Sequence, residues 1–202
     1  MRLGATAGRD VISTADLTAT DGHIEIIAGR DATLARLATG SRNSVNVNAG
    51  NDVTLNGTVD SWFVTIDAKN NATLNDDVTG GERVHASAAE GDLVVNGDVT
   101  SNDFSVELLA GRDAEINGNI NATNGLYGKA TITAKNNATI NGTIKAGGVA
   151  ATATEGDLVV KGAVAANDGS GKFVAGQDVK IVKDGNVSAK GDLTVEAGRD
   201  IT

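Results

Sequence analysis

The sequence predicts an all-β fold, a right-handed parallel β-helix (β-solenoid) with about 21 residues per coil, three short strands per coil and roughly nine to ten coils. Three observations predict it. A four-residue phrase recurs along the whole chain, as Ala7-Gly8-Arg9-Asp10, Ala28-Gly29-Arg30-Asp31, Ala49-Gly50-Asn51-Asp52 and Ala68-Lys69-Asn70-Asn71, and six more times down to Ala197-Gly198-Arg199-Asp200. Its last residue serves as an anchor, and successive anchors stand 19 to 24 residues apart. Between anchors the apolar residues alternate with polar ones at a period of two, with no helical periodicity.

Each element of the coil follows from its seat relative to the anchor. One residue after it stand Val53, Ala72, Leu93, Ala114, Ala138, Leu158 and Val179. Three after it comes the core column Leu34, Leu55, Leu74, Val95, Ile116, Ile140, Val160 and Ile181. Seven after it stand Val59, Val78, Val99, Ile120, Ile144 and Val164; Gly185 takes that seat in the last repeat, and Val187 restores the column. Three before the anchor the seat is almost always Ala, including Ala89. Five before it the residue is Ile26, Val47, Ile66, Leu108, Ile132, Phe173 or Val195, slipping to Ser87 and Thr152 in two repeats. A strand of three to five residues cannot bury one face alone. Stacking the repeats turns each column into a continuous core.

The corners between strands are rich in Gly, Asn and Asp, residues that tolerate positive φ where a chain turns sharply. Four residues after the anchor, Asn56, Asn75, Asn96, Asn117 and Asn141 form a column. These amides either ladder along the axis by hydrogen bonds or simply suit the turn. Ser13 and Ala15-Asp16 make the first coil imperfect, and Arg36 and Arg42 face solvent. Trp62 and Phe63 follow a corner, with one of them on the bend. Glu82-Arg83-Val84-His85 is the weakest stretch, and it puts His85 into a core column. Residues 121–128 form a small lateral loop, and residues 145–175 are Ala/Gly-rich and thinner.

Composition narrows the function classes. Aromatic residues are 2% and Pro is absent, which suits a narrow aliphatic core better than an aromatic-lined carbohydrate cleft or nucleic-acid platform. The formal charge of −9 argues against nucleic acid and anionic membranes as partners. No run is apolar enough to insert in a membrane. There is no Cys for disulfides or thiolate metal sites. One anchor per 21 residues, often Asn, does not match the paired turns of a calcium β-roll. His23 and His85 lie three coils apart with no activated nucleophile beside them. Stacked pairs such as Asp31 with Asp52, or Asp92 with Asp113, are better read as a solvated turn column than as glycosidase carboxylates. No catalytic, cofactor-binding or metal-binding residue is assigned. Four of the six Asn-x-Ser/Thr triplets (Asn56, Asn71, Asn121, Asn137, Asn141, Asn186) arise from the repeat itself. Thr33, Thr54, Thr73 and Thr139 share their column with Val94, Glu115, Val159 and Lys180, which spoils a flat Thr array. Residues 1–202 read as a single domain. Both ends fall in mid-pattern, so the expectation is a segment of a much longer solenoid with Met1 as an added start.

The phrases Gly191-Asp192-Leu193-Thr194-Val195-Glu196-Ala197-Gly198-Arg199-Asp200-Ile201 and Asn137-Ala138-Thr139-Ile140-Asn141-Gly142 resemble the repeats of filamentous haemagglutinin-type exoproteins, exported by two-partner secretion. The resemblance covers essentially the whole chain. It implies a secreted or cell-surface location, an outer-membrane transporter as partner of the parent protein, and a place in a virulence adhesin or the stalk of a contact-dependent inhibition toxin. Direct recognition by the transporter is not carried over to any residue. The expected function is a structural shaft projecting a distal binding or toxic module. The alternative is a lateral surface around Trp62 or Tyr127 that grips a host or neighbouring-cell receptor or glycan, and a β-helix polysaccharide enzyme stands third.

Overall fold

The computed structural model describes residues 2–182 and 185–202, and Met1 lies outside them. It is a parallel β-solenoid with no α-helix among these residues. Three faces stack along the axis. The anchor face carries three-residue strands such as Val53–Leu55, Ala72–Leu74 and Leu93–Val95. The middle face carries Val99–Ser101, Ile120–Ala122 and Ile144–Ala146, among others. The long face carries strands of up to six residues, such as His23–Ala28, Ser105–Ala110 and Lys129–Ala134. Middle and long faces run together through Val59–Ala68 and Val78–Ala88, so the two stacks form one 17-stranded sheet beside the nine-stranded anchor face.

The register is one repeat per coil. Leu55 pairs with Leu34 on one side and Leu74 on the other, and Ile116 pairs with Ile140. On the long face every second side chain points inward, so Ile24, Ile26 and Ala28 are buried while Glu25 is not. The inward residues from Ile24 to Val179 form one apolar cluster. Val187 pairs with Val164, which continues the middle-face column past Gly185. Residues 145–175 keep their core in spite of small side chains, because Phe173 is fully buried in the seat next to Ala151.

Three sequence expectations need correction. Ala89 is exposed, and Ala88 takes the inward seat between Ala68 and Ala110. The Glu90-Gly91-Asp92 corner is one residue longer than its neighbours, and so is Glu155-Gly156-Asp157. The apparent slips at Ser87 and Thr152 are therefore corner insertions, and Ala86 and Ala151 fill the column. His85 does not enter the core: Val84 and Ala86 point inward and His85 stands on the outer side of the same strand. Finally, positive φ does not explain the corner glycines. Among the described residues only Gly125 and Arg42 have it, at 51° and 65°. The corners need Gly because stacked backbones approach closely: a Cβ on Gly118 would lie 1.9 Å from the Gly97 carbonyl oxygen, and one on Gly142 would lie 2.0 Å from that of Gly118.

Candidate functional site

Most of the chemistry-bearing side chains lie on the corners, where they serve the stack. At the anchor corner each Asp or Asn accepts the backbone N–H of the next anchor. The Asp31 N–H donates to Asp10 Oδ1 at 3.4 Å, Asn71 to Asp52 at 2.9 Å, Asp92 to Asn71 at 3.0 Å, Asp113 to Asp92 at 3.1 Å and Asp157 to Asn137 at 3.0 Å. The remaining steps, through Asp200 donating to Asp178, follow the same rule, so nine consecutive steps are bridged. A corner N–H that no strand ladder can satisfy thus finds an acceptor one coil below.

Side chains reinforce this column. Arg30 grips Asp10 through two hydrogen bonds of 2.6 and 2.8 Å, and Arg112 grips Asp92 in the same manner. The Arg112 guanidinium holds the Asp92 carboxyl below the usual carboxylate range, against an upward push from burial. Lys180 lies between Asp157 and Asp178, at 2.9 and 3.3 Å, and likewise lowers Asp157. The Asp31–Asp52 and Asp92–Asp113 pairs thus turn their oxygens to backbone donors of the next coil.

The Asn column bonds in series. Asn75 Nδ2 donates to Asn56 Oδ1 at 3.0 Å, Asn96 to Asn75 and Asn117 to Asn96 at 2.9 Å each, and Asn141 to Asn117 at 2.6 Å. A further ladder escaped the sequence reading. Asp98 N–H donates to Asp77, Asn119 to Asp98 and Thr143 to Asn119, at 2.8 to 3.0 Å. Its signal was present as Asp77, Asp98 and Asn119 six residues after their anchors. The core column Leu34 to Val160 is buried, and Ile181 is partly so.

His85 belongs to a lateral polar cluster on the long face. Its Nδ1 lies 3.0 Å from Glu107 Oε2 and its Nε2 3.4 Å from Asp67 Oδ1. Arg83 reaches Glu107 at 2.6 Å, and Ser87 donates to Asp67 at 2.6 Å. Burial pushes the Glu107 carboxyl up, but the bonds from His85 and Arg83 outweigh it and leave it below its ordinary value. Ser87 is bonded to the aspartate rather than to the imidazole, which is not the geometry of an activated hydroxyl. His23 sits apart and bonds to Ser44 at 2.9 Å.

The two aromatic candidates stand on the corner between the middle and long faces. Trp62 is on the bend itself, half-buried, with its indole N–H donating to Glu82 Oε2 at 3.0 Å. Phe63 beside it is exposed. Tyr127 ends the short 3₁₀ turn Gly125–Tyr127 of the lateral loop, and its ring centroid lies 6.1 Å from that of Phe104. Phe104 was missed by sequence reading because only the stacking brings it beside Tyr127. Among the described residues no group of three or more His, Cys, Asp or Glu side chains converges to hold a metal ion, and no helix is long and apolar enough to cross a membrane. Compared with protein-family models, with curated proteins and with solved structures, the chain finds no match.

Proposed function

We propose that this chain is a length of shaft from a secreted or surface-attached bacterial exoprotein of the filamentous haemagglutinin kind, holding a distal binding or toxic module away from the cell. The observation that carries the reading is the unbroken anchor ladder, nine coil-to-coil steps bridged by the same backbone-to-side-chain bond. Each coil contacts only its neighbours, so reach grows in proportion to repeat number and load passes along the axis through many small bonds. The side chains of the anchor and Asn columns are engaged in stacking, which leaves them suited to support rather than turnover. Export through a two-partner-secretion transporter would suit a chain whose coils add one at a time on the far side of a membrane.

Reach is the property to measure. The chain is displayed between a cell-surface anchor and a module of known ligand, and adhesion distance is read by single-molecule force spectroscopy. Removing residues 72–113, two coils, is expected to shorten the contact distance by about 10 Å while leaving the affinity of the module unchanged. A contact distance that ignores the deletion would sink the shaft reading.

A further inference from the structure

Aromatic side chains are scarce here, five in 202 residues, and four of them share one corner of the coil. The pairing of Ser44, Phe63, Arg83, Ser105 and Lys129 across successive coils fixes their relation. Trp62 and Phe104 occupy the seats just before that row and lie two coils apart, about 9.6 Å along the axis. Tyr127 adds the next coil. The coil is able to bury a ring, as Phe173 shows, yet Phe104 is 47% and Tyr127 70% exposed.

These rings are held in place. Trp62 is tied to Glu82. Its ring lies over Gly81, where a Cβ would fall 2.2 Å from the indole Cε3, so only Gly admits this pose. Phe104 and Tyr127 brace each other at a 51° tilt. Beside Trp62 the surface dips into a shallow notch lined by Thr39, Ser41, Asp60, Thr79 and Asn102, which offers hydroxyls, an amide and a carboxylate and no cation.

We propose that this corner binds an extended, uncharged oligosaccharide lying along the rod axis, its pyranose rings on Trp62, Phe104 and Tyr127 and its hydroxyls in the notch. Spacing and chemistry both select that ligand. The coil rise of about 4.8 Å is close to the length of one pyranose unit in an extended β-linked chain, so platforms two coils apart meet alternate rings. The C–H face of a sugar suits an exposed aromatic face, while its hydroxyls need the donors and acceptors beside it. A nucleic acid or sulfated glycan needs a run of free cations, whereas here Asp60, Glu82 and Asp103 stand beside Lys129 and an Arg83 already paired with Glu107. A peptide strand needs an open backbone edge, and on this lateral surface neighbouring coils consume the backbone groups. The inference goes beyond the shaft reading, which is tested on reach alone.

Trp62 is the sole tryptophan, so its fluorescence reports on this corner only. The whole chain is titrated with cellohexaose, with chitohexaose and, as an anionic comparator, with a heparin-derived hexasaccharide. The expected result is a saturable shift with a neutral hexasaccharide and none with the heparin fragment. Phe104→Ala and Tyr127→Ala should each raise the Kd about tenfold with an unchanged melting curve, and Phe104→Tyr and Tyr127→Phe should restore binding. Absence of a saturable shift with both neutral probes, a response to heparin alone, or undiminished binding by the alanine variants would overturn the proposal.

Discussion

Asp92 offers a direct measure of what the anchor ladder contributes. Its Oδ1 accepts the Asp113 N–H at 3.1 Å, and both carboxylate oxygens bind Arg112. Asp92→Ala removes the acceptor and leaves a part-buried backbone donor to whatever water can reach it. A bond from backbone to a charged acceptor is worth about 1.5–3 kcal/mol when sheltered. With the Asp92 side chain 31% exposed, about 1–2 kcal/mol is the reasonable expectation, a fall in Tm of about 2–8 °C for a chain of this size. Asp92→Asn keeps the oxygen and loses only the exposed ion pair, which contributes little. The chain itself supplies the precedent, since Asn71 and Asn137 accept the next N–H at 3.0 Å. Asn should therefore melt close to wild type and Ala clearly below it. Chemical and thermal denaturation followed by circular dichroism would read the difference. Equal losses in the two variants would assign the effect to charge rather than to the ladder, and two neutral variants would mean that the column adds nothing to stability.

The same residue sets a pH dependence. Its folded-state carboxyl is held below the ordinary value, first by the Arg112 hydrogen bond. The stabilisation is therefore present above the unfolded pKa of about 3.9 and is lost as pH falls through the folded value. Asp10 and Asp157 are lowered in the same direction, by Arg30 and Lys180. Stability should drop below about pH 4, and Asp92→Asn should lose its share of that drop.

Two more outcomes follow from the inside/outside alternation. Leu55→Asp buries a carboxylate in the closed column between Leu34 and Leu74 and should cost more than about 4 kcal/mol, whereas Thr54→Asp on the outer side should stay within about 1 kcal/mol; similar denaturation midpoints would refute the assignment. A polypeptide of these 202 residues leaves Leu193 and Ile201 exposed and Leu3, Ala5 and Val11 only partly buried at its terminal coils, so it should associate end to end or fray there, and a polar capping coil at each end should suppress both. Light scattering and hydrogen exchange would decide it, with terminal coils as protected as central ones in an uncapped monomer counting against the idea.

Much of this molecule was legible because its order is one-dimensional. A period near 21 and an alternation of two fixed the parallel stack, the inward columns from Leu34 to Val160 and the outward placing of Arg36 and Arg42, since a repeated residue must lie over its own copy. The Asn column was visible for the same reason, although only the stacked geometry gives Asn96 a bond to Asn75 rather than to water. What depended on three dimensions was the depth of each corner. Counting back from Asp92 put Ala89 in the core, because one extra corner residue shifts the count while leaving the pattern apolar. The stack chose Ala88, since a slip of one would have turned Val84 and Ala86 out and His85 in. Corner glycines were ascribed to φ, a local property, when the constraint is the carbonyl of the coil beneath. Phe104 and Tyr127 are 23 positions apart in sequence and carry no shared motif. Their meeting depends on a loop excursion in one coil reaching a corner in the previous one, which only the closed geometry of the stack decides.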